Sequence, residues 1–431
     1  YLLMFGAFIY PVASLVVALL VRQRRASPEV RRWPLGAQIA GGAALALTFL
    51  SLTQGWWTAA LTFGLAGLAG VLLLWGSQPM TAQAEPRPRL EASTLMVLLC
   101  LVAGLLLTGC SSGGKNQAAD PKSEKQIVLK YAFFAPATTF PAKQMEKWKE
   151  EVEKRTNNKV KVELFPGGTL LTDKNMYDGV KNKVADIGLS CPTYEPGRFP
   201  LLAISDLPSG FPNSRVASLV VYDLIREYPP EAFKDLKVIT AFATEPSHIM
   251  SVKPVTGQQD LKGRKVRISG ALTPVLKELG ATPVGMSMSE VPEALQTGIV
   301  EGMVSSREVL KDLKLAEKLK YTTEYPLTVT SFAAVMNKDV WNSLPPDVQQ
   351  VIDELSREMA LWTGEYMDNH VKEALEWSKK EHGLQIITLS PEEKAAWDKI
   401  LKPIQDKYVE ELKAKGLPAG EYRKRLYELK E

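Results

Sequence analysis

Three cysteines and three histidines are all that 431 residues contain, and both scarcities exclude chemistry. Cys100 lies inside an apolar run, Cys110 follows Leu107-Thr-Gly, and Cys191 stands alone, so no disulfide framework can be drawn. His248, His370 and His382 form no closely spaced ligand motif, which disfavours a metal centre, and no cofactor is expected. A nucleophilic Cys191 would need a nearby base, for which His248 is the only histidine in a plausible position, and Cys191 reads instead as an inert, partly buried thiol. The net charge of +4 is modest and Lys and Glu interleave in the second part, so no basic block points to nucleic acid.

The two parts of the chain differ in chemistry. Tyr1 to Val21, Leu35 to about Leu52, and Thr58 to Trp75 are each apolar enough to cross a bilayer, which predicts about three membrane helices in residues 1–79. The loop Arg22 to Arg32 holds five arginines, and Arg87 and Arg89 follow the third span. Three crossings put both basic segments on the cytoplasmic side. The sequence opens on Tyr1, and residues 1–79 read as the end of a small membrane subunit, either fused to the remainder of the chain or joined from an adjacent reading frame. Residues 80–109 read as a signal: Arg87 and Arg89, the apolar Leu95 to Leu107, then Leu107-Thr-Gly-Cys110, similar to a bacterial lipobox. Cys110 is the expected lipidation site, with a fourth membrane span as the alternative. Polar residues 110–126 make a tether, and acyl chains contribute about 0.8 kcal/mol per buried methylene to anchoring.

From Ile127 onward strand-like and helix-like runs alternate. Ile127 to Phe134 and Val160 to Phe165 are β-rich, and between them Met145, Trp148 and Val152 recur at helical spacing. This alternation predicts a parallel sheet covered by helices. Val184 to Ser190 is a further strand running into Cys191-Pro-Thr-Tyr194. Ligands of open α/β sheets bind beyond the carboxyl ends of strands, which makes Tyr194, Phe199 and Phe211 wall candidates, with core packing the alternative for each. Lys237 to Phe242 precedes a crossing near Thr244, and the return crossing is expected near Phe332 to Met336. In Asp260-Leu-Lys-Gly-Arg-Lys-Val-Arg-Ile-Ser-Gly270 a turn feeds a short strand carrying Arg267 at its end. A guanidinium there can take a carboxylate through two parallel hydrogen bonds, or it can be a solvated or ion-paired surface residue. From Pro345-Pro346 to about Glu381 only Gly364 interrupts helix-forming residues, giving roughly 50 Å of helix that crosses both lobes or kinks at Gly364. A helix from Pro391 to about Lys415 and a solvated tail helix after Gly416 complete the fold.

Several of these motifs occur in a telling order. Phe165-Pro-Gly-Gly-Thr-Leu170, then Leu261-Lys-Gly263 with Lys265 and Arg267, Ser289-Glu-Val, Ala294-Leu-Gln and Leu344-Pro-Pro-Asp347 resemble the DctP-type solute-binding receptors of TRAP transporters, from about Val128 to Leu412. The resemblance implies an α/β, two-lobed periplasmic-binding-protein-like fold with a long lobe-spanning helix. Lobe I is expected over 127–244 and 333–372, and lobe II over 245–332 and 373–431. It further implies that Arg267 grips the carboxylate of an organic acid, with Ser247 and His248 at the crossing as a second polar group. Some relatives carry an asparagine where Ser305 stands, and the shorter hydroxyl leaves room for a different or larger solute. Tyr194 and Phe211 complete the expected ligand set. The implied partner is a TRAP permease in the membrane, driven by an ion gradient, with the globular part facing the periplasm or cell exterior. A hydrolase or a sensor ectodomain on a similar scaffold is the other reading, and dicarboxylates, hydroxy or keto acids, aromatic acids and sugar acids all remain as solutes.

Overall fold

A computed structural model describes residues 126–431. The expected membrane spans, the signal-like segment, Cys110 and nearly all of the tether lie outside the described residues. Among the described residues no helix is long and apolar enough to cross a membrane.

The first sheet grows from β1 (Ile127–Phe133), which pairs in parallel with β2 (Val160–Phe165) and β3 (Ile187–Ser190). The helix between β1 and β2, Phe140–Arg155, buries Met145, Trp148 and Val152 against it, one face of an amphipathic stripe. β4 (Leu236–Ala243) and β10 (Ser331–Asn337) complete the order β2-β1-β3-β10-β4. β10 is antiparallel to both its neighbours, so the sheet is not the all-parallel one expected. The chain leaves this lobe at the end of β4 and returns from the same side, which forces β10 to run the opposite way.

The second sheet has the order β11-β9-β5-β8-β6-β7. Its strands are β5 (His248–Ser251), β6 (Lys265–Ile268), β7 (Thr282–Gly285), β8 (Gly302–Ser305), β9 (Tyr321–Thr323) and β11 (Gln385–Ile387). β6 is parallel to β7 and β8, whereas β5 is antiparallel to β8 and β9. The two sheets have separate apolar cores, one around Tyr131, Trp148 and Phe242, the other around Ile249, Val266 and Ile268. That is the two-lobed α/β arrangement.

Two crossings join the sheets. The outward one lies between β4 and β5, and the return lies between β9 and β10, upstream of the expected Phe332 to Met336, which are buried strand residues. The crossings pair with each other: Thr244 N–H donates to Thr330 O at 3.1 Å and Leu327 N–H to Ser247 O at 2.9 Å.

The third link is one helix, Pro346–His382, of 37 residues. It runs unbroken through Gly364, about 55 Å at 1.5 Å per residue. Its first part packs in the first core through Leu355, Met359 and Met367, and Trp377 reaches a cluster of the second lobe. Gly364 serves contact rather than bending: a Cβ there would meet Arg215 Cα at 2.6 Å. Helix Ser214–Glu227 starts at this contact, where Asp368 accepts from the Ser214 and Arg215 N–H groups at 2.8 and 3.1 Å.

Helix Pro391–Ala414 also touches both lobes, with Trp397 and Leu401 in the second core and Val409 and Leu412 in the first. The tail helix Ala419–Lys430 is not the solvated helix expected in lobe II. Ala419, Tyr422 and Leu426, spaced as one helical face, are buried in the first core.

Candidate functional site

Arg267 sits on β6, where alternation sends Val266 and Ile268 into the second core and the guanidinium to the opposite face. It is 1 % exposed. Nε and Nη2 donate to Met286 O at 3.0 and 2.8 Å, and Nη1 reaches Val304 O at 3.4 Å. Among the described residues no carboxylate lies within salt-bridge distance of it.

The guanidinium lines a cavity between the lobes with about 470 Å³ of empty space, its mouth included. The first lobe supplies an aromatic wall: Phe133, Phe134, Phe140, Tyr194 and Phe332. These rings brace one another, Phe134 against Tyr194 at 5.5 Å and Phe140 against Phe332 at 5.6 Å. The second lobe supplies the polar wall: Arg267, Ser269, Ser305, Ser306, Glu308 and Asp312. Carboxyl ends of β1, β3, β6 and β8 therefore converge on one space, as open α/β sheets dispose their ligand sites.

The lobes are latched across this space. Met288 N–H donates to the Tyr194 hydroxyl at 3.1 Å, Phe140 N–H to Asp312 Oδ2 at 3.2 Å, and Ser289 Oγ to Asp173 Oδ1 at 3.3 Å. Lys174 meets Glu290 at 3.3 Å.

Of the six ligand candidates read from the sequence, Arg267, Ser305 and Tyr194 line this cavity, and Ser247, His248 and Phe211 do not. Ser247 is held by its backbone in the paired crossings. His248 is the direct ladder partner of Ser305, but its Nε2 turns to Glu324 at 3.6 Å. Phe211 lines a separate hollow with Pro246 and Pro326. Phe199 packs in the core against Tyr177 and Phe233. Cys191 is buried, and burial pushes its thiol well above the usual range, an inert state.

Arg307, a second cation near the polar wall, is committed elsewhere. It donates to both oxygens of the buried Glu245 at 3.0 and 3.1 Å and also to Glu324. The neighbouring His248 ring, with the Arg307 guanidinium beside it, holds Glu324 down to about 2. The wall residues that sequence reasoning missed include Ser269, Ser306, Glu308 and Asp312 on the polar side and Phe133, Phe134, Phe140 and Phe332 on the apolar side. Phe133 ends β1 and Phe134 follows it, so both were open to the same strand-end rule that singled out Tyr194. Burial raises the Glu308 carboxyl well above its usual range, with Asp312 and Glu245 adding repulsion.

The sequence pattern of the DctP family, bacterial extracellular solute-binding protein family 7, matches residues 131–412. The chain belongs to this family. The family is one of TRAP-type extracytoplasmic solute-binding receptors and not of enzymes, with a permease partner implied by membership. Among its relatives, the C4-dicarboxylate-binding periplasmic protein DctP of Rhodobacter capsulatus is 28 % identical over 308 residues, covering 69 % of this chain and 91 % of that one. A TRAP periplasmic solute-binding protein from Desulfovibrio salexigens, solved as an open complex, is 48 % identical with a TM-score of 0.64, covering 71 % of this chain and 96 % of that one. A marine metagenome TRAP solute-binding protein specific for aromatic acid ligands, solved with 3-hydroxybenzoate, is 29 % identical with a TM-score of 0.68, covering 71 % and 98 %.

Proposed function

We propose that this receptor closes its lobes on a carboxylate-bearing organic acid, that Arg267 takes the carboxylate, and that the loaded receptor delivers it to a TRAP-type permease. The observation that carries the reading is the unpaired state of Arg267. A buried cation without a counterion is costly, and an acid entering the cavity offsets that cost with charge-assisted hydrogen bonds. Ser305 and Tyr194 stand in the same walls as further polar contacts. Ser247, His248 and Phe211 act, in this reading, through the crossings and not on the solute.

The five-ring wall favours a ring-bearing acid over a short aliphatic one, since a flat ring can stack against edges and faces already fixed. The metagenome relative is described as specific for aromatic acids and the Rhodobacter relative as a C4-dicarboxylate binder, so both classes belong in the test. Lobes of 127–244 with 333–372 and of 245–332 with 373 to about 415 would move about the paired crossings, with the tail helix travelling with the first lobe. Diacylglycerol on Cys110 would tether the receptor to the outer face of the membrane.

Calorimetric titration of the protein and of Arg267→Ala with benzoate and with succinate tests the central claim. Unchanged affinity for the acid that binds would remove Arg267 from the site.

A further inference from the structure

One wall residue has chemistry that carboxylate capture leaves unused. The Glu308 side chain is 2 % exposed and lines the cavity with Arg267. Its Oε1 accepts from Ser306 Oγ at 2.8 Å, and its Oε2 is buried with no hydrogen-bond partner. Buried polar atoms in native structures are nearly always paired, and an orphan in the wall of a binding cavity is a place for a ligand atom.

The charges around Glu308 decide which protonation state meets the ligand. Asp312, one helical turn on, is joined to His370 of the long helix at 2.6 Å. Glu245, from the outward crossing, is clamped by Arg307, whose guanidinium is thereby turned away from its chain neighbour. Among the described residues no cation lies within salt-bridge distance of Glu308, and Arg267 is bonded to Met286 O and Val304 O. Burial and two acidic neighbours raise the carboxyl well above its usual range, which favours the protonated form with its O–H donor and carbonyl acceptor. A carboxylic acid kept neutral in an apolar site is an effective donor to a ligand oxygen.

We propose that Glu308 determines specificity by hydrogen bonding a second oxygen of the solute, so that the cavity selects aromatic acids bearing a ring hydroxyl over the unsubstituted ring acid. This rests on the reading that Arg267 holds the carboxylate. The aromatic wall receives the ring, Arg267 one polar end and Glu308 the ring substituent. A site built to hydrogen-bond a hydroxyl discriminates strongly against the analogue lacking it, because the protein group is then left unpaired.

The test is calorimetry on the full chain with benzoate, 3-hydroxybenzoate and 4-hydroxybenzoate. At least one hydroxybenzoate is expected to bind about 10-fold or more tightly than benzoate. Glu308→Gln, which keeps a donor and an acceptor in place, is expected to retain that preference. Glu308→Leu is expected to abolish it, bringing the hydroxybenzoate-to-benzoate affinity ratio to within about 3-fold of unity, and Glu308→Met serves the same purpose if the leucine variant does not fold. A preference that survives in the apolar variants, or equal affinity of the unaltered protein for all three acids, overturns the role of Glu308 and leaves Arg267 untouched. If none of these acids and no aliphatic carboxylate binds, the carboxylate reading itself falls.

Discussion

The Asp312 carboxylate receives His370 Nε2 at 2.6 Å on one oxygen and the Phe140 N–H at 3.2 Å on the other. One side chain of the second lobe thus holds both the long helix and the first lobe. The Thr138 hydroxyl adds a bond to Asp312 O at 3.1 Å. Asp312→Ala is expected to favour the open receptor and speed ligand release by about 10-fold, since hydrogen bonds to charged groups contribute about 1.5–3 kcal/mol each. Stopped-flow measurement of release rates checks this. An unchanged rate would show that the latch does not hold the closed state.

Two buried arginines have opposite expected effects. Arg267→Ala should lower acid affinity by at least about 30-fold, because truncating one partner of a buried charge pair costs about 2 kcal/mol or more. Its thermal midpoint should move by only a few degrees, as no acidic partner is orphaned. Arg307→Ala leaves Glu245 buried without its cation, at a cost of about 3–5 kcal/mol, so the midpoint should fall by roughly 5–8 °C while affinity stays within a few-fold. Glu324 is half-exposed and adds little to that loss. Thermal denaturation paired with titration separates the two roles.

Stability should fall as pH rises through neutrality. Asp206 is fully buried, and burial pushes its carboxyl up to about 8 despite bonds from the Ser331 N–H and hydroxyl. Between about pH 4 and 8 the folded chain keeps a proton that the unfolded chain has released, so the contribution is complete below that window and is lost across it. One such group changes stability by at most about 1.4 kcal/mol per pH unit. Asp206→Asn mimics the protonated acid and should flatten the decline, with the share due to Glu308, of the same sign, remaining. Thermal midpoints at pH 5 and pH 8.5 check it; an equally steep decline in the variant would contradict the assignment.

Gly364→Ala should destabilise although alanine is the better helix former. The propensity gain is at most about 1 kcal/mol. The new Cβ would sit 2.6 Å from Arg215 Cα and 2.9 Å from Ser214 O, backbone atoms that move only with their helix. Overpacking of this kind costs about 1–3 kcal/mol, so the steric term wins. Denaturant titration measures the net sign.

Much of the scaffold was legible in local pattern. Strands Val160–Phe165 and Leu236–Ala243 and the long helix fall within a residue or two of their expected ends, because apolar periodicity and turn residues act over a few positions. The reversed β10 was not legible, since strand direction depends on where the chain re-enters the sheet. The burial of the tail helix was written in the spacing of Ala419, Tyr422 and Leu426 but masked by the Lys and Glu around them.

The sequence by itself determined that Arg267 stands near the end of a strand and Tyr194 in the turn just beyond one, because a strand and the turn that stops it are specified by adjacent residues. Only the tertiary structure decided which polar groups are free to meet a solute. Arg307 is neutralised by Glu245, 62 positions away, and Asp312 meets Phe140 across 172 positions. Such partners are chosen by how two lobes pack, and no local pattern carries that choice.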